Sequence, residues 1–236
     1  MEWYPQDKEE LQALVDGLMK PSENEKPKKS DKEIHGLIVP HAGFEFSGRI
    51  AGKAFAMLRK HKKKKVVILG PSHSAKFFGV RVLDKKETPL GKIKIISNDY
   101  EEIDYEHSVD NELPFLQELG FEEFLPLVIG ELDNQEAEII AKKISEIDAI
   151  YIFSTDLSHF HAYKNALKQD KKTIRIIEKL DIMGFKDINA CGQFPLLVLL
   201  HLCKIKGWKP ELIEYKNSGD ITQEKNSVVG YASFSF

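Results

Sequence analysis

Eight histidines and two cysteines are spread over 236 residues, and three of the histidines share one kind of setting. Each follows a short apolar run. Ile38-Val39 leads into Pro40-His41-Ala42-Gly43, and Ile68-Leu69 leads into Gly70-Pro71-Ser72-His73. Ile152-Phe153 leads into Ser154-Thr155-Asp156-Leu157-Ser158-His159. Cys191-Gly192 precedes an apolar segment in which Pro195 can open a helix, and a helix N-terminus favours a thiolate. Two neutral imidazoles and one thiolate make a soft-to-borderline ligand set suited to Fe(II), Cu or Zn. Two of these imidazoles with the Cys191 thiolate would make a metal site, and three protein ligands leave positions open for water or substrate. Asp156 and His159 lie three residues apart, so a tight turn would let the carboxylate orient the imidazole as a general base. Glu106-His107 offers a further acid and imidazole. The spacing leaves open which metal is held, and whether Cys191 is a ligand or a metal-free nucleophile with His159 as its base.

Such groups meet only if the elements before them share a sheet. Gly36–Val39, Val66–Leu69, Phe124–Ile129 and Ala149–Ser154 read as buried strands. Helical spacing marks Leu11–Met19, Ile50–Leu58, Ala137–Ile144 and Leu167–Leu180. A helix is expected near Ser108–Leu119, with its start blurred by Pro114, and Asp133 with Glu136 resembles a capping box. Val80–Leu83 and Ile93–Ile96 read as a strand pair around Thr88-Pro89-Leu90-Gly91, and Leu212–Tyr215 and Ser227–Ser233 as closing strands. Short apolar strands alternating with helices predict an α/β fold, a mainly parallel sheet with helices on both faces. In such sheets ligands bind beyond the carboxyl ends of the strands, where His41, His73, Asp156 and His159 fall. A single domain is expected over 1–236, with 1–33 forming an N-terminal helix and a charged connection, Pro21–Glu33. The run Lys60–Lys65 reads as a solvated helix end, His35, His61, His161 and His201 as ordinary hydrogen-bonding residues, and Cys203 as core.

Composition narrows the class. Apolar residues make up 42% and charged residues 30%, as in soluble globular chains. The net charge of −3 supplies no basic field for nucleic acid or acidic membranes. No run reaches the roughly 18 apolar residues of a membrane span. Two cysteines do not make a disulfide scaffold, and Met1-Glu2-Trp3-Tyr4-Pro5 lacks the pattern of a secretory signal, so the cytoplasm is the expected compartment.

Taken in order, several short stretches resemble the Memo-like proteins, also called AmmeMemoRadiSam system protein B. They are Trp3-Tyr4-Pro5, Pro40-His41-Ala42-Gly43 with Ser47-Gly48, Leu69-Gly70-Pro71-Ser72-His73 and Thr88-Pro89-Leu90-Gly91. Glu106-His107-Ser108 with Leu113-Pro114-Phe115-Leu116, Ser154-Thr155-Asp156 with Ser158-His159, Cys191-Gly192 and Ser227 to Ser233 complete the set. The resemblance implies a sandwich like that of the class III extradiol, LigB-like dioxygenases, which hold non-haem Fe(II) with two histidines and a carboxylate. Carried over, it implies His41 and His73 as imidazole ligands and Cys191 in place of the carboxylate. It implies His159 as the acid/base residue, with Asp156 and His107 lining the pocket as further catalytic candidates. A thiolate there favours copper or redox chemistry over ring cleavage. Phe44 and Phe46 stand where the family often has tyrosines, and Ser74 where it often has a second histidine. The expected function is a metal-binding redox protein, an oxidoreductase acting on a small molecule. The alternatives are a metal-free Cys/His hydrolase or transferase, and a peptide-binding adaptor that retains the pocket. A radical-SAM pathway partner is implied by the family's second name, and self-association into a homo-oligomer is left open.

Overall fold

The computed structural model describes residues 3–21 and 33–236. Most of the expected charged connection, residues 22–32, lies outside the described residues. The chain runs α1 (Lys8–Leu18), β1 (Gly36–Val39), α2 (Gly48–Phe55), β2 (Lys65–Pro71), β3 (Val80–Leu83), β4 (Glu87–Thr88), β5 (Gly91–Lys92) and β6 (Glu101–Ile103). It continues with α3 (His107–Asp110), α4 (Leu113–Glu118), β7 (Glu123–Ile129), α5 (Asn134–Ser145), β8 (Ile150–Ser154), β9 (His159–His161) and α6 (Tyr163–Lys179). The last elements are α7 (Gln193–Lys206), β10 (Glu211–Asn217), α8 (Ser218–Thr222) and β11 (Val228–Ser235).

One sheet carries the strand order β10-β11-β1-β8-β2-β7-β3-β6, with β9 added on β11. The central four strands, β1, β8, β2 and β7, are all parallel. The outer pairings β1–β11, β10–β11, β9–β11 and β3–β7 are antiparallel. Side chains on a strand point alternately to the two faces, and both faces here are apolar. Ile38, Val67, Leu69, Leu125, Leu127, Tyr151 and Phe153 pack on the face covered by α5, α6 and α7. Leu37, Val39, Val66, Ile68, Phe124, Ile150 and Ile152 pack on the opposite face, under α1, α2 and α4. Double burial explains why these strands read as continuous apolar runs instead of alternating ones. The predicted α/β architecture, a mostly parallel sheet with helices on both faces, is the one observed.

Local differences have local causes. The helix expected near Ser108–Leu119 is two helices, broken at Asn111-Glu112. Pro114 lacks an N–H and would collide with the carbonyl four residues back, so the chain restarts with Pro114 in the first turn of α4. Ile93–Ile96 does not pair with Val80–Leu83. The hairpin is only Glu87-Thr88 against Gly91-Lys92, and β3 instead joins β7 and β6. The Lys60–Lys65 run is not a helix end but the connection into β2, where Lys63, Lys64 and Lys65 pair with Asp148, Glu122 and Glu123.

The capping box is present. Asp133 accepts from the Glu136 amide at 2.8 Å, and Glu136 accepts from the Asp133 amide at 2.8 Å. Asp133→Ala is expected to lower unfolding free energy by about 1 kcal/mol, read as a shifted urea midpoint at unchanged slope. No helix among the described residues is long and apolar enough to cross a membrane.

Candidate metal centre

The sheet order brings the strand-end residues together. β8 lies between β1 and β2, so the chain leaving three adjacent parallel strands emerges at one edge. β1 delivers His41, β2 delivers His73, and β8 delivers Asp156 and then His159. His107 joins them from the first turn of α3. Gly70, at the end of β2, permits the approach of that helix: a Cβ there would stand 2.5 Å from Ser108 Oγ and 2.8 Å from Val109 Cγ2.

His41, His73 and His107 form a group whose candidate ligand atoms lie within 4.8 Å of one another. Their ring centroids are 5.2 Å (His41–His73), 5.5 Å (His41–His107) and 4.6 Å (His73–His107) apart. His41 is buried, His107 half-buried and His73 exposed. Trp3 stacks on His107 at 4.4 Å and donates its indole N–H to Tyr105 Oη at 2.8 Å.

Glu106, 0% exposed, organises two of the three rings. Its Oε1 is 3.1 Å from His73 Nδ1 and 3.2 Å from His107 Nδ1, and accepts from the Ser108 amide at 3.1 Å. Its Oε2 accepts from the amides of His73 (2.6 Å) and Ser74 (3.1 Å) and from Ser74 Oγ (3.2 Å). Burial alone would raise the Glu106 carboxyl. The bonds from His107 and His73 outweigh that, together with the amides of His73 and Ser108, and hold it well below the usual carboxylate range. A carboxylate only accepts, so both rings donate from Nδ1, and Nε2 of each is the nitrogen turned away from Glu106.

His41 is 3% exposed, and its Nδ1 lies 2.7 Å from Ser154 Oγ. Burial, with His73 and His107 nearby, pushes its pKa well below the ordinary histidine value, so the ring is neutral at neutral pH.

Cys191 stands beside this trio. Its Sγ is 3.3 Å from His41 Nε2 and accepts from the Asp156 amide at 3.2 Å. The next residue fixes the approach: a Cβ on Gly192 would lie 2.5 Å from Thr155 Cβ. The group that closes to within 4.8 Å is nevertheless His41, His73 and His107, without Cys191. The helix dipole does not win at this thiol. Burial, and then Asp156, push its pKa up, so the metal-free protein holds a neutral thiol.

Asp156 and His159 do not form the expected local pair. Asp156 Oδ1 accepts from the His41 amide at 2.9 Å, and burial raises the carboxyl to about 7 against the bonds from the His41 and Ala42 amides. The carboxylate thus fixes the loop that carries His41. His159 donates from Nδ1 to the Leu157 carbonyl at 2.8 Å, which leaves Nε2 as its free nitrogen. Burial lowers the His159 pKa below the ordinary value. The imidazole in contact with the thiol is that of His41, whereas the metal-free reading pairs Cys191 with His159.

Sequence reasoning grouped His107 with the pocket residues and passed over the roles of Glu106 and Ser154. A signal was present in Glu106-His107-Ser108, where an acid precedes a histidine at a helix start. Its use depends on His73, 33 residues away.

Three imidazoles suit Zn, Cu, Fe or Ni, and two nitrogens bound to one ion stand at most about 4 Å apart, twice the metal–nitrogen distance. The trio is close to that span and presents hydrogen-bonded rings, so the residues fit a transition metal.

Comparison with known proteins agrees with the resemblance read from the sequence. The family model described as Memo-like protein matches residues 2–235. A MEMO1 family protein of Aquifex aeolicus is 34% identical over 99% of this chain and 96% of its own. Relatives of the same description from Sulfolobus acidocaldarius and Sulfurisphaera tokodaii are 32% and 33% identical, covering 91% and 89% of this chain and 85% of each relative. This chain belongs to the Memo-like protein family.

Proposed function

We propose that the protein is a transition-metal-dependent redox protein, an oxidoreductase acting on a small molecule, with His41, His73 and His107 as imidazole ligands and Cys191 as a sulfur ligand. One observation carries the reading: Glu106 Oε1 engages the Nδ1 atoms of both His73 and His107, which reserves Nε2 of each for another partner. Carboxylate-oriented imidazoles are the usual support of a metal site. Fe or Cu, when bound, would supply one-electron chemistry and polarise an oxygen-containing ligand.

The chain's own residues supply the rest. Asp156 holds the His41 loop through backbone amides. His159 offers a free Nε2 from the carboxyl end of β8 and is the proton-transfer residue of this proposal. Cys191 contributes its sulfur once a cation replaces its proton, since a dication overcomes the burial that keeps the thiol neutral.

Elemental analysis tests this on untagged protein purified without chelators, wild type beside Cys191→Ser. The wild type is expected to carry about one equivalent of Fe, Cu or Zn per chain. The variant is expected to lose metal, because one ligand is gone. Metal-free protein after expression in metal-supplemented medium would overturn the proposal.

A further inference from the structure

Two residues at the break between α3 and α4 grip His41. Asn111 donates from Nδ2 to the His41 carbonyl at 2.8 Å. Glu112, 1% exposed, accepts from Ser154 Oγ at 2.9 Å through Oε1, and that same Oγ lies 2.7 Å from His41 Nδ1. A buried carboxyl, a hydroxyl and a ring nitrogen are thus linked in one chain. Its polarity has a single consistent direction when His41 ligates through Nε2. Nδ1 then carries the proton and donates to Ser154 Oγ, so Ser154 donates onward, and Glu112 must accept.

We infer that Glu112 is a positioning residue of the metal centre: through Ser154 it holds His41 with Nε2 free to ligate, and it supplies a buried negative charge to balance the cation. The inference rests on the metal-binding reading above and adds to it a residue that touches neither metal nor substrate. Burial pushes the Glu112 carboxyl well above the usual carboxylate range, with Asp156 adding to the rise against the Ser154 bond. A buried carboxyl with no role in the site would be a liability to the fold. A dication bound at His41 would favour its ionised form through the field across that ring and Ser154, and by linkage the carboxylate would favour the dication equally.

Glu112→Gln keeps an oxygen for Ser154 and removes the charge. Ser154→Ala keeps the charge and cuts the chain. Both are titrated with Co(II) against a competing chelator, beside the wild type, with the cobalt visible spectrum and the thermal midpoint of each metal-free protein recorded. The expected result is a loss of Co(II) affinity of about 10–100-fold in each variant. The metal-free midpoint of Glu112→Gln should stay near that of the wild type, because the amide matches the carboxyl in size and keeps an oxygen acceptor for Ser154, and the Ser154→Ala cobalt spectrum should shift as the His41 ring loses its orientation. Wild-type affinity and spectrum in both variants would overturn the inference and leave the metal reading standing. A fall in affinity only in step with a lowered metal-free midpoint would assign Glu112 to the fold instead. Failure of the wild type itself to take up Co(II) would sink the metal reading and this inference with it.

Discussion

Glu106→Ala is expected to cost about 3–5 kcal/mol of unfolding free energy and to strip the protein of metal. The carboxylate has no solvent exposure and accepts from three backbone amides, one hydroxyl and two imidazoles. Alanine leaves those donors facing a void, and each buried donor without a partner costs about 1–3 kcal/mol unless water enters. The loss is below the plain sum because His73 is exposed and its loop can rehydrate. The effect carries a pH signature. The folded-state pKa of Glu106 is depressed below the ordinary value of 4.5. Its contribution is therefore fully present above pH 4.5 and is lost as pH falls from there through the folded value. Wild-type stability should drop more steeply with acid below pH 4.5 than that of Glu106→Ala. Denaturant unfolding of both proteins between pH 3 and pH 7 checks this, and parallel curves would count against the assigned role.

His41→Ala is expected to abolish metal retention through a separate route. His41 is the one member of the trio that is buried, and its Nε2 lies 3.3 Å from Cys191 Sγ. It is the link between the imidazole group and the sulfur. Removing an outer partner of a metal ligand typically costs 10–100-fold in affinity, so removing a ligand should exceed about 100-fold. Dialysis against a weak chelator followed by metal analysis reads this directly. Asn111, Ser154 and Asp156 all bond to His41, so some instability of the variant is expected as well. His73→Ala separates the two effects. That residue is exposed and makes one side-chain bond, to Glu106, so its loss should remove metal with a smaller fall in the unfolding midpoint than that of His41→Ala. Retention of a full metal equivalent by both variants would remove the imidazole trio from the site.

The placement of His41, His73 and His159 after apolar runs was legible because strand burial and strand ends are written locally. Ile38-Val39, Ile68-Leu69 and Ile152-Phe153 are continuous runs, and a doubly covered parallel strand needs that pattern. The capping box at Asp133 and the buried helix containing Pro195 were legible for the same reason, since every residue involved lies within a few turns of its partner. The split at Asn111-Glu112 was half legible, because Pro114 announces a break but not its position.

Other features depend on neighbours distant in sequence. That Glu106 joins His73 to His107 follows from the docking of α3 on the end of β2, where Gly70 leaves room. That Asp156 serves the His41 loop, and His159 does not receive it, follows from β8 lying beside β1 while the chain turns away to pair β9 with β11. Spacing of three residues could not show this, because a loop's direction is set by what the next strand pairs with. The thiol of Cys191 is likewise decided by packing. Its position before a helix is local and favours the thiolate, but the desolvation that outweighs it comes from the strand ends and loops packed around it. The sequence by itself determined the strands, the helices and the residue types at one edge of the sheet, through periodicity. Tertiary structure alone decided which of those groups touch and which nitrogens of His41 and His73 are engaged, because the contacts that decide this join residues 33 to 150 positions apart.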